Sequence, residues 1–331
     1  MTQWQSDGVT YTLDELRAAG DLVHRHVPAT PQYAWPMLGA ELGGEVWVKH
    51  ENHTPTGAFK VRGGLTYVDR LVRERPEVQG LISATRGNHG QSIALAGRAA
   101  GVPVTIVAPH GNSPDKNAAM RALGAELIEH GRDFQEAREH AASLADDRGL
   151  EMVPSFHPDL VLGVATYALE LFEAVGDIDA VYVPVGMGSG ICGLIAARDL
   201  LGLSTEIVGV VAERAPATAL SFAAGEVVTT ETADTFIDGV ACRVPDPTAI
   251  GIITGGAARI VQVSEDACAA AIRLLLTTTH NLAEPAGAVA TAGLTVERER
   301  LRGQRVATVM TGGNLDAHLL AEILAGRTPT V

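Results

Sequence analysis

Cysteine is scarce in this chain: Cys192, Cys242 and Cys268 are the only three, far apart, with no CxxC spacing and no neighbouring histidine cluster. A disulfide framework and a zinc site are therefore not indicated, and the thiols read as small buried hydrophobes. Positive charge is also short, with 25 Lys and Arg against 39 Asp and Glu and a net charge of −14. That balance argues against nucleic acid or an anionic membrane surface as the main partner, and a small molecule fits better. Long apolar runs are missing too. The start, MTQWQSDGVTYTLDELR, has no basic region followed by an apolar stretch, and no segment approaches the length of a membrane-spanning helix. A cytoplasmic protein is the expectation. Low-complexity linkers and solenoid repeats are likewise absent. What the chain does have is length and apolar content: 331 residues, 46% hydrophobic, suffice for one large domain or two lobes with a real core.

From about Leu81 onward, short runs rich in Val and Ile alternate with Ala-rich stretches of helical period. LISAT, VPVTIVAP, AELIEHG, AVYVPV, TEIVGVVAE and RVATVMTGG read as strands. QSIALAGRAAG, DKNAAMRALG, FQEAREHAASLADD, VATYALELFEAV, CGLIAARDLLG and HLLAEILAG read as helices, each near a glycine able to close it. This alternation predicts an α/β chain with mostly parallel sheets and helices on both faces. In such folds ligands meet the chain beyond the carboxyl ends of strands, where helix N-termini point at them.

Four junctions of that kind carry polar chemistry. Thr54-Pro55-Thr56-Gly57-Ala58-Phe59-Lys60-Val61-Arg62-Gly63-Gly64 places a lysine after a Pro/Gly turn. Lys60 could be a solvated helix-start charge; held against an apolar wall, its pKa would fall and it would become an amine nucleophile and proton carrier. Ser83-Ala84-Thr85-Arg86-Gly87-Asn88-His89-Gly90-Gln91 passes from a strand through a glycine into a helix, with more polar side chains than capping requires. Pro184-Val185-Gly186-Met187-Gly188-Ser189-Gly190 has glycines at alternate positions, which let backbone approach an anion, and matches neither nucleotide-binding glycine motif. Val309-Met310-Thr311-Gly312-Gly313-Asn314 puts a hydroxyl at a strand end. Phe236-Ile237-Asp238-Gly239-Val240 and Ala283-Glu284-Pro285-Ala286-Gly287 each set one carboxylate among apolar neighbours, as a cap, a satisfied core group or a site residue.

Taken in order, Thr30-Pro31, KHEN, PTGAFKVRGG, RGNHGQ, VPVGMGSG, FIDGVA, AEPAGA and TGGN resemble the fold-type II pyridoxal-phosphate enzymes, and within them the serine/threonine dehydratases (ammonia-lyases) and their racemase relatives. The resemblance runs from about Val27 to Ala325. It implies a tryptophan synthase beta-like fold of two three-layer α/β/α lobes, with a large cofactor-binding domain from residues 1–50 and 153–331. Residues 51–152 would form a small mobile domain carrying the lysine segment and the substrate loop. It implies pyridoxal 5'-phosphate as cofactor, bound covalently by Lys60, with Phe59 packed near the ring and Asn88 on the ring hydroxyl. Gly186, Met187, Gly188, Ser189 and Gly190 would cradle the phosphate, Thr311 would contact the pyridine nitrogen, and Glu284 would complete the cofactor site. Thr85, Arg86, Gly87, Asn88 and His89 would hold the substrate. The implied reaction is loss of water from a 3-hydroxy amino acid, with Lys60 taking the Cα proton, to give a 2-oxo acid and ammonia; a homodimer is expected.

The chain departs from the family pattern in places. Ala58 replaces a usual serine. Arg86 stands where a racemase has its second base, and a permanently protonated arginine is a poor base, so racemisation is not expected. A planar cation there could instead pair with a side-chain carboxylate or stack on an aromatic ring, which adds 3-hydroxyaspartate and phenylserine to threonine and serine as candidate substrates. Arg86 could also turn away, toward a helix C-terminus or a carboxylate such as Glu284. Many relatives bind a divalent cation after the corresponding strand; here Glu213 could match the first ligand, but Thr218 takes the place of an expected Asp, so no essential metal, or a weak monovalent one, is expected. The chain ends soon after its last helix, with no room for a regulatory domain, which suggests a catabolic role. The alternatives are a β-replacement synthase of the same fold and, in another class, a non-catalytic binding protein on a degenerate enzyme fold.

Overall fold

The computed structural model describes residues 3–330. Strands β1 (Gln3–Ser6) and β2 (Val9–Thr12) form an antiparallel hairpin. β3 (Gln32–Ala34) and β4 (Glu45–His50) begin a larger sheet. β5 (Leu81–Ala84), β6 (Val104–Ala108), β7 (Glu126–Glu129) and β8 (Glu151–Met152) make a separate four-stranded one, in the order β7-β6-β5-β8. β9 (Ala180–Pro184), β10 (Glu206–Ala212), β11 (Arg259–Val263) and β12 (Arg305–Met310) return to the first. That sheet has six strands in the order β11-β10-β9-β12-β4-β3, all parallel except the β3–β4 pair. The six runs read from sequence as strands are strands, and the six read as helices are helices. The fold is thus the mixed α/β architecture with mostly parallel sheets expected.

Local chemistry explains the elements. The core of β10, Ile207 to Ala212, is buried throughout, as a parallel strand covered on both faces must be. Ser113 caps the helix Pro114–Ala122 by accepting from the Lys116 N–H, and Asp133 caps Phe134–Arg148 by accepting from the Glu136 N–H. Gly101 and Gly149 end their helices in the left-handed region.

The helix Pro158–Val175 is apolar around much of its circumference, and it packs on both Lys60–Glu74 and Ser189–Leu200. A Cβ on Gly63 would lie 2.6 Å from the Leu160 carbonyl oxygen, and one on Gly163 would lie 2.4 Å from that of Arg62. Glycine at both places lets the two backbones meet closely, and this contact sets the position of the helix that Lys60 begins.

Charge reinforces the same junction from within. Arg62 is fully buried and donates to Glu51 (Nε–Oε2 2.7 Å), to Glu170 (Nη1–Oε1 2.6 Å) and to Thr166. Lys49, also fully buried, donates to Glu170 at 2.5 Å, to Gln32 and to the Thr30 carbonyl. Burial alone would raise the Glu170 carboxyl, but Arg62 and Lys49 hold it down to about 2. Four charges from β4, the turn after it and two helices therefore satisfy one another out of water.

Candidate active site

Three strand ends converge on Lys60. The turn before it is stitched to the end of β12: the Phe59 N–H donates to the Thr311 carbonyl (2.9 Å), the Gly313 N–H donates to the Gly57 carbonyl (2.9 Å), and Ala58 bridges Gly312. The Lys60 side chain is half-buried, its Nζ 5.1 Å from the Phe59 ring centroid. Phe59 in turn stands edge-on to Tyr167 at 6.2 Å, and Tyr167 donates to the Gly190 carbonyl. Desolvation brings the Lys60 ammonium down to about 8, against the pull of Glu284. Phe59 supplies an apolar neighbour for this amine, the condition under which its pKa falls.

At the end of β5, the Thr85 hydroxyl accepts from the Gly87 N–H (3.0 Å). The helix Asn88–Ala100 starts at Gly87 with no side-chain cap, so its first N–H groups are open to an anion. His89 is buried with no partner at Nε2, and desolvation together with the Lys60 charge pushes its imidazole down to about 3, so it is neutral. Arg86 is exposed and makes no hydrogen bond or ion pair among the described residues. Neither partner read for a turned-away Arg86, a helix C-terminus or Glu284, is bonded to it among the described residues: Glu284 receives its bond from Asn88, Nδ2 to Oε1 at 2.6 Å.

At the end of β9, the helix Ser189–Leu200 also begins without a side-chain cap, at a left-handed Gly188. A Cβ on Gly186 would lie 2.4 Å from the Gly239 carbonyl oxygen, so only glycine fits the turn. Met187 lies against Cys242, with their sulfurs 3.6 Å apart, and Ser189 is buried at the first helical position.

Glu284 lies inside the protein with Oε2 unpaired, and a Cβ on Gly312 would strike its Oε1. Burial raises its carboxyl to about 7, with Lys116 opposing and Asp238 reinforcing the rise. Thr311 is buried at the end of β12, its hydroxyl 3.4 Å from the Ala286 carbonyl. Lys60, Phe59, the Thr85–His89 loop, the Gly186–Gly190 turn, Glu284 and Thr311 are thus brought to one place. Glu213 is exposed and Thr218 buried, and no group of three or more metal-ligating side chains occurs among the described residues.

Two site residues were given no role by sequence reasoning. Lys116 lays its stem across Gly87, its Cδ 2.6 Å from where a Cβ would stand, and donates to Asp238 at 2.6 Å. Burial works against its charge, but Asp238 and Glu284 more than offset that and raise its pKa. Asn314 donates to both the Thr56 carbonyl and Asn88 Oδ1, each at 2.8 Å. Asn314 was visible in the TGGN run; Lys116 carried no local signal beyond a Ser-Pro helix start.

The donor set fits a phosphorylated aldehyde cofactor. There is an amine of depressed pKa, an uncapped glycine-lined helix start for a phosphate, and buried polar atoms without a partner at His89, Gln91 and Glu284. The arrangement defines a cofactor-dependent enzyme of the amine-binding kind. Residues 23–312 match the family model described as pyridoxal-phosphate dependent enzyme, and the chain belongs to that family. It is 32% identical to an L-threonine ammonia-lyase of Thermotoga maritima, over 95% of this chain and 78% of the relative. An L-threo-3-hydroxyaspartate ammonia-lyase of Saccharomyces cerevisiae is 31% identical, over 97% of this chain and 99% of the relative. Among solved structures, the processed form of threonine deaminase isoform 2 from Solanum lycopersicum superposes with a TM-score of 0.88 at 29% identity, covering 98% of this chain and 96% of that one.

Proposed function

We propose that this protein is an ammonia-lyase, a carbon–nitrogen lyase that removes water from a 3-hydroxy amino acid and releases a 2-oxo acid and ammonia. The observation that carries the reading is the Lys60 amine, drawn down to about 8 beside neutral His89 and in front of Phe59. An amine of that kind is partly unprotonated near neutral pH and can take the proton from the substrate Cα. Bound pyridoxal phosphate supplies the electron sink for the charge left there. The open N–H groups at Asn88–Ala100, with Thr85 and Asn88, suit the substrate α-carboxylate.

A narrower substrate class is suggested by Arg86, exposed and unpaired at the head of that loop among the described residues. A free guanidinium there favours a second carboxylate, as in L-threo-3-hydroxyaspartate, over threonine, serine or phenylserine. The names of the relatives allow both L-threo-3-hydroxyaspartate and threonine. The test is release of 2-oxo acid from each of the four, by wild type, Arg86→Ala and Lys60→Ala. Lys60→Ala should show neither turnover nor the absorbance of protein-bound cofactor; turnover retained in that variant defeats the assignment. Arg86→Ala should lose 3-hydroxyaspartate preferentially, and an unchanged ranking of substrates defeats the selectivity reading. Adding a thiol, with loss of 2-oxo acid in favour of a thioether, would reveal β-replacement.

The reading extends to a cytoplasmic homodimer of amino-acid catabolism whose segment 51–152 moves against the rest. Three buried free thiols suit a reducing compartment. Tyr33 and Met37, each more than half exposed beside Trp35, offer an apolar face for a second copy. The separate four-stranded sheet of residues 81–152 suits independent motion. Light scattering on the purified protein tests the dimer; a monomeric mass defeats it.

A further inference from the structure

We infer that Asn314 is a positioning residue that fixes which way the Asn88 amide faces, so that Asn88 meets the cofactor ring oxygen only as a donor. The two ends of an amide are alike in shape, so its direction is set by its hydrogen-bond partners. Here the partners decide it in sequence. The Thr56 carbonyl can only accept, and it lies 2.8 Å from one end of the Asn314 amide, so that end is Nδ2. The opposite assignment would set two oxygens against each other. The remaining N–H on Asn314 Nδ2 points at the Asn88 amide, also at 2.8 Å, so the atom it meets is Oδ1. Asn88 Nδ2 is thereby turned the other way, toward Glu284 Oε1 at 2.6 Å, and it retains one N–H.

A chain of one-way hydrogen bonds thus runs from a backbone carbonyl that cannot reverse, through Asn314, to Asn88. Glu284 Oε1 accepts at the far end whether or not Oε2 carries a proton, so the direction does not depend on the charge of Glu284. Asn314 is itself held fast. Its side chain sits on left-handed Gly57, where a Cβ would lie 2.5 Å from Oδ1, and its own segment is tied to the lysine turn by the Gly313–Gly57 bond. Asn88 is left with a single uncommitted N–H and an oxygen already engaged. Its oxygen is turned to Asn314 and its Nδ2 carries the free N–H, so toward a ring hydroxyl it is placed to donate, which favours the deprotonated form of that oxygen.

The inference rests on membership of the cofactor family and on Asn88 meeting the ring oxygen, and its test separates the two. Apoprotein of wild type, Asn314→Asp, Asn314→Ser and Asn88→Ala would be titrated with pyridoxal phosphate by fluorescence, and the absorbance of each loaded protein followed across pH. Asp lacks the N–H groups; Ser leaves room and one short donor that cannot serve both partners. Loss of the directed bond should weaken cofactor binding roughly tenfold and raise the pH midpoint of the absorbance change by about half a unit or more. Asn88→Ala should move both in the same sense and at least as far. If both Asn314 variants keep the wild-type midpoint, the positioning role is wrong, whether affinity falls or not, because mere packing would lower affinity and leave the midpoint alone. If Asn88→Ala itself leaves the midpoint in place while the Asn314 variants move it, the link through Asn88 is wrong and the cofactor assignment stands.

Discussion

Glu284→Gln gives a direct reading of the buried carboxyl at the centre of this site. Unfolded, Glu284 releases its proton near 4.5, whereas in the folded apoprotein burial holds that proton until about 7. Between those values the folded protein carries a proton that the unfolded chain has lost, so stability is full below 4.5 and declines as pH rises through 7. The slope is about 1.4 kcal/mol per pH unit, so by pH 7 to 8 wild type should have given up roughly 3 kcal/mol that the neutral glutamine does not. His89 titrates in both proteins and cancels in the comparison, and Lys60 titrates at the upper edge of the window. Urea unfolding of both apoproteins, followed by circular dichroism at half-unit steps across this range, measures the difference. The variant should gain on wild type as pH rises. A difference flat to within about 1 kcal/mol would mean that Glu284 ionises freely and that the proton-holding account is wrong.

Three other outcomes are open to measurement. Arg62→Met should cost about 3–5 kcal/mol in urea unfolding, because it strands buried Glu51 and leaves Glu170 with Lys49 as its buried charge partner, and high salt should not mask the loss. Gly186→Ala must displace the Gly239 backbone, so it should cost about 1–3 kcal/mol and weaken cofactor binding in apoprotein titrations; unaltered binding would show that the turn does not shape the phosphate cradle. Lys116→Met keeps the stem over Gly87 but removes the charge that opposes protonation of Glu284, so the pH transition assigned to Glu284 should move above 7. A transition that stays in place or moves down contradicts the assignment.

How much of this was legible beforehand follows the range of the interactions. Runs such as TEIVGVVAE announce themselves because a strand buried on both faces has no polar positions. β8 has two residues and β3 three, too few for any periodicity to show. β1–β2 could have been found: Asp7-Gly8 between alternating segments is a hairpin signal, and Asp7 does take positive φ there. At the site, Asn88 and Thr311 were readable as polar residues at strand ends and Lys60 as a lysine after a Pro/Gly turn, while their roles came from the family resemblance. Lys116 was not, since its partner Asp238 lies 122 positions away, and neither was Glu170, which draws Lys49 and Arg62 together from 121 and 108 positions away. The direction of Arg86 needed coordinates for the same reason: sequence places a residue on a loop but not its side chain in space.

The position of β12 bears on how the protein is made. It is the twelfth strand along the chain, yet it lies between β9 and β4 in the middle of the six-stranded sheet, and the residues just past its end, Thr311 and Gly313, carry the peptide groups that hold Phe59 and Gly57. Until it emerges from the ribosome the sheet is two separate halves with exposed edges, and the turn bearing Lys60 has nothing to rest on. Pairings of such long range are slow to form, and unpaired strand edges are sticky. Nascent chains stalled before residue 305 should therefore bind pyridoxal phosphate no better than an unfolded peptide, and should be the species that chaperones hold.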